Sequence, residues 1–294
     1  MELTKPPVKE DEGKSIDQVD QSLENGGGGE KIAEVNEEDI VVVPRQQTDP
    51  VFGVLMAAIS FVFAYAGLAL QGFGYILLWP AIDFFLLSWA YCFKGSSGHV
   101  LMGKNEETGQ IGWANFLLFL PWHALYYASW RIKHLLRGEH VYDSVGHGMY
   151  VGRLPIHFPE HFPVDCQVIV DLTGEMSAVK ASLKGRRYYN AGCIDRLMPD
   201  PVALEGIART LLKEREDVGM YIHCANGHGR SGVFAAIMLV SRGVVEDLDD
   251  AKKYLKEKRA VINWQEHQQD VGEEVLMMLK RHTNGGHAAV ANRE

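Results

Sequence analysis

A long apolar run is the first strong hydropathy pattern in the chain. No charged residue occurs from Val51 to Pro80, and beyond Asp83 the apolar residues continue to Phe93. A helix needs about 20 apolar residues to cross a bilayer, so this run is long enough for two spans. The predicted transmembrane hairpin consists of a span at about 52–71, the turn Gln71-Gly72-Phe73-Gly74 and a span at about 74–93.

Asp83 sits near the middle of the second of these spans. On insertion scales a central Asp costs about 2.5–3.5 kcal/mol, whereas each Leu or Phe contributes only about 0.3–0.6 kcal/mol in favour. The hairpin is therefore predicted with one or two full spans. Two interpretations of Asp83 stay open: a functional carboxylate within the membrane, or a water-facing residue in a re-entrant segment that is broken at Pro80.

A third apolar stretch, Ile111–Trp130, contains His123 as its only ionisable residue. Its tryptophans and tyrosines suit a membrane interface, so we expect either a third span or a helix in the headgroup layer. Arg131, Lys133 and Arg137 follow at once, and the positive-inside rule places them and the region after them in the cytoplasm. If residues 51–93 form a hairpin and the third helix lies flat on the membrane, the N-terminal tail is also cytoplasmic. If there are three full spans, the tail lies on the opposite side of the membrane.

Beyond Arg137 the pattern changes to short β-rich runs that alternate with helical patterns. This alternation predicts an α/β fold, a mostly parallel central sheet flanked by helices on both faces. In such sheets, ligands bind beyond the carboxyl ends of the strands. The predicted strands are Met149–Gly152, Val168–Leu172, Arg187–Asn190 and Met220–His223, and the predicted helices are 176–182, 201–215, 231–242, 247–258 and 266–281.

The first fifty residues of this 294-residue chain differ in composition from the rest. Residues 1–50 hold 13 acidic and 5 basic side chains and few large apolar ones, so most of the formal net charge of -9 lies there. Such a segment cannot bury enough apolar surface to fold, and we predict a disordered acidic tail. A sequence pI near 5.7 argues against nucleic-acid binding, and four cysteines argue against a disulfide-rich scaffold.

These patterns divide the chain into five regions. The predicted organisation is an acidic tail at 1–50, the transmembrane hairpin at 51–93, a loop with a third membrane or interfacial helix at 94–137, the α/β domain at 138–282 and a C-terminal tail at 283–294. Candidate chemistry is concentrated in the fourth region.

The most informative motif is His223-Cys224-Ala225-Asn226-Gly227-His228-Gly229-Arg230-Ser231-Gly232, placed between a predicted strand and a predicted helix. The glycines at 227 and 229 allow backbone N–H groups to point inward, and with the helix N-terminus they form a cradle for a phosphate dianion. The same field stabilises a nucleophilic thiolate at Cys224. Arg230 can bind two phosphate oxygens at once. We therefore predict phosphate binding by residues 225–230 and attack by Cys224.

This motif is similar to the Cys-x5-Arg loop of the protein tyrosine phosphatase superfamily, and the surrounding sequence resembles its dual-specificity branch. Met149-Tyr150-Val151-Gly152-Arg153-Leu154-Pro155 looks like the opening strand of that branch, and Val168-Ile169-Val170-Asp171-Leu172-Thr173 like the next. The resemblance covers about residues 140–282. It implies a dual-specificity-like fold and hydrolysis of phosphate monoesters through a phosphocysteine, with no metal and no other cofactor.

The resemblance also implies a general acid, an Asp on a loop some 30 residues before the nucleophile. Asp195 fits, because Tyr189-Asn190-Ala191-Gly192-Cys193-Ile194-Asp195 ends 29 positions before Cys224. Asp200 is the competitor, but with Pro201 after it the residue is better suited to cap the next helix. Asp171 is interpreted as a structural residue at the end of a strand.

Three further residues complete the predicted site. Ser231 is expected to donate a hydrogen bond to the sulfur, to cap the helix, or to do both. His223 is expected to orient the loop. Gln268 corresponds to a glutamine that positions the hydrolytic water in related phosphatases, with Gln265 and Gln269 as rivals.

The substrate stays open between a phosphoprotein and a phospholipid. Phosphoinositide phosphatases with a similar loop carry Lys where His228 stands, and a neutral His provides less positive charge for a polyanionic head group. The membrane segment favours a substrate at a membrane. The alternative is a catalytically silent, membrane-tethered module that binds phosphorylated partners, although this chain has all of Cys224, Arg230 and Asp195.

Overall fold

The computed structural model describes residues 47–215 and 217–291. The acidic tail predicted for residues 1–50 lies almost wholly outside these residues. The C-terminal tail predicted from residue 283 is instead helical as far as Ala291, because the last helix continues through it.

The first part of the described chain is a helical hairpin. Helix α1 is Pro50–Leu70, with Asp49 capping it through the backbone N–H of Phe52 (3.0 Å). Gln71 then adopts a positive φ of 50° and breaks the helix at the predicted turn. The returning segment consists of a 3-10 turn at Gly72–Leu77, helix α2 at Leu78–Trp89 and a π-helical turn at Ala90–Lys94.

Among the described residues, two helical segments are long and apolar enough to cross a membrane. They are Pro50–Leu70, with a mean hydropathy of 2.2, and Gly72–Lys94, with a mean hydropathy of 1.6. The two segments pack against each other, and their outer ends meet where the backbone N–H of Asp49 donates to the carbonyl of Tyr91 (3.0 Å). The start of α1 and the end of the returning segment therefore lie next to each other, at the end of the hairpin opposite the turn at Gln71.

The third apolar stretch is not one continuous helix. It follows a 3-10 turn at Gly95–Gly98 and helix α3 (His99–Met102), and it is divided into α4 (Trp113–Leu118) and α5 (Leu120–Arg137). Asp83 is fully buried, and its Oδ2 accepts the backbone N–H of Trp122 (2.7 Å) in the first turn of α5. The water-facing interpretation of Asp83 is therefore wrong, because this carboxylate binds the N-terminus of another helix.

The α/β domain contains the expected, mostly parallel sheet. The strands are β1 (Tyr142–Gly146), β2 (Met149–Arg153), β3 (Cys166–Thr173), β4 (Arg187–Cys193) and β5 (Gly219–Cys224). Their order in the sheet is β1-β2-β5-β3-β4, in which β1 is antiparallel to β2 and the other pairs are parallel. All four predicted strands are present, and the antiparallel edge strand β1 was not predicted.

The two faces of this sheet are covered differently. The helices of the domain are α6 (Lys180–Leu183), α7 (Pro201–Leu211), α8 (Arg230–Ser241), α9 (Leu248–Lys258) and α10 (Glu266–Ala291). Helices α7–α10 bury the main core on one face. The other face carries an aromatic cluster that includes Phe162 and Tyr221, and it is covered by the loop after β2 and the short helix α6 rather than by several helices. The helix predicted at 176–182 is wrong except for its end.

The helical hairpin packs directly on the α/β domain beside the end of β4. Ile194 and Leu197, which follow β4, are buried in one apolar cluster with residues of α1, α2 and α5. Arg196 pairs with Asp49 (2.7 Å), and Lys104 pairs with Asp171 (2.7 Å) inside the protein. The loop after β4 is therefore fixed by the hairpin on one side and the sheet on the other.

Candidate active site

The Cys-x5-Arg motif forms the turn between β5 and α8. Gly227 has a φ of +75°, and a Cβ placed on it would lie 2.5 Å from the backbone carbon of Gly152 and 2.7 Å from the nitrogen of Arg153. Only glycine satisfies both the backbone conformation and this close approach. The loop therefore folds tightly over the end of β2.

The sulfur of Cys224 lies at the bottom of this loop and is buried. It accepts the backbone N–H of Gly227 at 3.2 Å and lies 3.4 Å from the hydroxyl of Ser231. The N-cap of α8 is Gly229, so Ser231 faces the sulfur rather than capping the helix. Of the two roles predicted for Ser231, the geometry supports the hydrogen bond to sulfur.

Arg230 is buried and its guanidinium is held by several acceptors. Nη1 donates to the carbonyls of Leu172 (3.1 Å) and Cys193 (2.7 Å), and both terminal nitrogens bind the carboxylate of Glu175 at 3.0 and 2.7 Å. Burial lowers the pKa of Arg230, but the negative charges of Glu175, Cys193, Asp195 and Cys224 together raise it by more, so the guanidinium stays charged. Glu175 was not identified from the sequence.

The side chain of Asp195 lies beside the guanidinium of Arg230. Its Oδ1 lies 2.9 Å from Nη2 of Arg230, and its side chain is 29% exposed. Its backbone carbonyl accepts the hydroxyl of Tyr91, at the end of the hairpin, at 3.0 Å. Asp200 instead caps α7 through the N–H groups of Val202 and Ala203, the role that the sequence favoured.

A cavity of about 180 Å³ opens above the sulfur, several times the roughly 30 Å³ that one water molecule occupies in the liquid. Gln268 and Gln265 both line it, whereas Gln269 binds the indole N–H of Trp264 and is directed elsewhere. Gln268 is buried, and its Oε1 accepts the backbone N–H of Gln265 (3.2 Å). The lining residues are Asp195, Arg196, Cys224, Asn226, His228, Gly229, Arg230, Asn263, Gln265 and Gln268.

The two histidines of the motif have different surroundings. Burial lowers the pKa of His223, although Asp171 acts in the opposite direction, and its Nδ1 has no hydrogen-bond partner among the described residues. His228 lies 2.8 Å from Glu139 through Nε2, and burial lowers its pKa although Glu139 opposes the change. A largely neutral His228 adds little positive charge to the loop.

Asp171 has the structural role expected of it, with a partner that was not predicted. It is fully buried and binds Lys104, Thr173 and Tyr188 through side-chain contacts. Burial raises the pKa of this carboxyl, but Lys104, His223 and Thr173 together lower it by more. The net pKa lies below its usual range, so Asp171 stays ionised. The pair links the segment after the hairpin to the end of β3.

Comparison with known proteins gives one family match. Residues 164–283 match the family model described as PTP-SAK, Swiss Army Knife protein, DSP-PTPase phosphatase domain. No curated protein matches the chain. The match spans every candidate site residue from Asp171 to Gln268 and begins well after the hairpin.

Several solved structures resemble the same part of the chain. PTPMT1 in complex with PI(5)P is 16% identical, with a TM-score of 0.43 over 49% of this chain and 99% of its own. Tk-PTP in the active form is 21% identical, with a TM-score of 0.42 over 47% of this chain and 97% of its own. Human DUSP28 is 15% identical, with a TM-score of 0.40 over 48% of this chain and 95% of its own.

Proposed function

We propose that this chain, whose residues 164–283 form a dual-specificity-type phosphatase domain of the protein tyrosine phosphatase superfamily, is a membrane-anchored enzyme that hydrolyses phosphate monoesters through a phosphocysteine. One observation carries the proposal. The sulfur of Cys224 and the guanidinium of Arg230 line the same cavity, at the N-terminus of α8, with the carboxylate of Asp195 at its edge. A nucleophile, an anion site and an acid are thereby in one place.

In the first step the thiolate of Cys224 attacks phosphorus, so that an S–P bond forms and the P–O bond to the leaving group breaks. Arg230 and the loop N–H groups bind the three equatorial oxygens, where negative charge is distributed in the transition state. These oxygens displace Asp195 from Nη2 of Arg230. Once it has left the guanidinium, Asp195 takes up a proton from solvent, and as a carboxylic acid it gives that proton to the leaving oxygen.

In the second step water attacks the phosphocysteine. The new O–P bond forms as the S–P bond breaks, and Asp195, now a carboxylate, takes the proton of the water. The hydroxyl 3.4 Å from the sulfur, that of Ser231, stabilises the departing thiolate. Gln268 lines the cavity and is placed to orient the water. Inorganic phosphate then leaves, Asp195 releases its proton to solvent and pairs with Arg230 again, and the resting enzyme is restored.

The proposed substrate is a phosphoprotein or a phospholipid at a membrane surface. Tyr91, at the end of the returning hairpin segment, contacts Asp195, so the cavity lies beside the ends of both candidate spans. Large apolar side chains of α4 and α5 are exposed next to the hairpin, a pattern typical of a membrane-contacting surface. The positive-inside rule supports a cytoplasmic domain. The exposed apolar side chains of α4 and α5 are Trp113, Phe116, Leu117, Leu125, Ile132, Leu135 and Leu136.

The direct test of the proposed function is hydrolysis of p-nitrophenyl phosphate by the full chain in nonionic detergent. Cys224→Ser should remove the activity, while Cys166→Ser, a buried cysteine on the other face of the sheet, should retain it. Vanadate should inhibit and chelators should not. Turnover by the Cys224→Ser chain would contradict the proposal.

A further inference from the structure

A second polar cleft lies beside the proposed phosphatase cavity. It has a volume of about 390 Å³, and we name it the Arg153 cleft. Its lining residues are Glu139, His140, Val141, Tyr142, Arg153, His157 and His161. None of these residues is used in the chemistry described above.

The guanidinium of Arg153 lacks the partners that a buried cation normally has. Arg153 is only 9% exposed, and its Nε and Nη1 are buried without a hydrogen-bond acceptor among the described residues. The ring centre of Trp130 lies 5.9 Å from the guanidinium carbon of Arg153. A buried donor without an acceptor is costly, more so when it is charged. This arginine therefore points to an anionic ligand.

The charges around the cleft also favour an anion. Arg131 of α5 extends to the rim, with its Nη1 3.4 Å from Nε2 of His157. The carboxylate of Glu139 is already bound to His228 and lies 3.5 Å from Arg137. Burial lowers the pKa of Arg153, and the positive charges of Arg259 and Arg131 lower it too, whereas Tyr221 and the carboxylate of Glu139 raise it. The net pKa is lowered, so a bound anion would stabilise the charged guanidinium.

The imidazoles of the cleft do not form a metal site. Across residues 47–215 and 217–291, no group of three or more His, Cys, Asp or Glu side chains could hold a metal ion. A guanidinium presents a planar fork of donors that matches two oxygens of a phosphate, and imidazole N–H groups can bind further oxygens. Phosphate is therefore the anion that fits these donors best.

The cleft and the cavity over Cys224 share a wall. Glu139 lines the cleft and His228 lines the cavity, and the two side chains meet at 2.8 Å. Arg153 is also directly opposite Cys224 in the β2–β5 register, so their backbones are about 5 Å apart. The two openings are therefore neighbours, and a molecule that extends across the Glu139–His228 pair would contact both.

We propose that the Arg153 cleft binds a second phosphate group of the same substrate molecule whose monoester is hydrolysed at Cys224. This inference rests on the proposed function. It restricts the substrate to molecules in which a second phosphate group lies within reach of the monoester that is hydrolysed.

The test compares ligand binding by the full-length Cys224→Ser chain in nonionic detergent, measured by calorimetry. The ligands are butanediol, hexanediol and octanediol bisphosphates, each against the alkyl monophosphate of the same length. The best bisphosphate should bind at least about 10-fold more tightly than its monophosphate, as expected for a charge-assisted contact. Adding Arg153→Gln should remove this gain and leave monophosphate binding unchanged. Arg215→Gln, an exposed arginine paired with Asp217, is the charge-matched control.

Four outcomes would overturn the proposal. Equal binding of bisphosphates and monophosphates, or an equal loss of both in the Arg153→Gln chain, contradicts a second phosphate site. If Arg153→Gln weakens only binding to phosphatidylglycerol vesicles, the cleft binds the headgroup of a neighbouring lipid and the assignment to substrate is wrong. A free phosphate ligand would appear as Arg153-dependent binding of inorganic phosphate without any bisphosphate gain.

Folding and the proposed function are checked separately. Arg153→Gln in the Cys224 chain should still hydrolyse p-nitrophenyl phosphate. If it does not, the rim variant Arg131→Gln/His157→Gln replaces it and should weaken bisphosphates alone by at least 3-fold; no loss there contradicts the proposal. A full chain that never hydrolyses p-nitrophenyl phosphate refutes the proposed function, while the binding comparison still decides the cleft.

Discussion

At the scale of single residues, Arg230 binds two carboxylates at once. Glu175 holds it through both terminal nitrogens, and Asp195 shares Nη2 at 2.9 Å. Glu175 is fully buried, whereas Asp195 is partly exposed, so a substrate phosphate displaces Asp195 more easily. The same event binds the phosphate and releases the proposed acid.

Asp195→Asn should lower kcat by about 10²–10³-fold, because amide nitrogen cannot protonate the leaving oxygen. The loss should be largest for alkyl phosphates and smaller for p-nitrophenyl phosphate, whose leaving group needs little protonation. Asp200→Asn is the matched control, since Asn caps a helix about as well as Asp. Steady-state kinetics on both substrates checks this, and an equal loss from Asp200→Asn would exclude Asp195 as the specific acid.

Lys104→Met should destabilise the chain by about 3–5 kcal/mol, because it leaves the buried carboxylate of Asp171 without its cation. The folded-state pKa of Asp171 lies below its unfolded value of about 3.9, so the pair stabilises fully above that pH. The stability difference from the parent chain should shrink as the pH falls, because the unpaired Asp171 carboxyl of the variant takes up a proton at a higher pH than the paired carboxyl of the parent. Urea unfolding at several pH values measures it, with exposed Lys184→Met as control; a pH-independent difference would contradict the ion-pair explanation.

At the scale of elements, the strands next to the site could be predicted, and their long-range partners could not. Buried parallel strands such as β3 and β5 are short β-rich runs, visible in the sequence. Strand β1 (Tyr142–Gly146) is a polar edge strand without that signal. Glu175 and Lys104 bind partners 55 and 67 positions away, and no local periodicity encodes such contacts.

The structure of the third apolar stretch also depends on a long-range contact that the sequence does not reveal. Composition predicted one membrane or interfacial helix at Ile111–Trp130, but the chain breaks at Phe119 between α4 and α5. The break lets Asp83 bind the N–H of Trp122 in the first turn of α5. The carboxylate that opposed membrane insertion in the sequence is thus used to position a helix, a contact between residues 39 positions apart.

The end of the hairpin positions the loop that carries Asp195. Tyr91→Phe removes a hydroxyl that binds the carbonyl of Asp195, a hydrogen bond worth about 1 kcal/mol. We expect kcat to fall about 3–10-fold for alkyl phosphates, with KM almost unchanged. The loss should nearly disappear for p-nitrophenyl phosphate, which depends less on the acid. Tyr75→Phe, exposed at the turn of the same hairpin, should have no effect. Equal losses on both substrates would indicate general damage instead.

At the scale of the whole molecule, both ends of the hairpin lie next to the α/β domain. Phe73, at the turn, is fully exposed at the opposite end. If the hairpin crosses the bilayer, an impermeant maleimide should label Phe73→Cys and Lys184→Cys from opposite sides of sealed vesicles. The parent chain, whose four cysteines are buried or partly buried, provides the blank. Labelling of both positions from one side would place the hairpin on the membrane surface.

During turnover the sulfur of Cys224 should carry the phosphoryl group. Rapid quenching of the full chain in an alkaline denaturant during turnover of a phosphate monoester, followed by peptide mass spectrometry, detects this intermediate. We expect a phosphoryl group on the peptide that contains Cys224, absent when that residue is Ser and still present in the Cys166→Ser chain. A phosphoryl group on any other residue, or steady turnover by the Cys224→Ser chain, would contradict it.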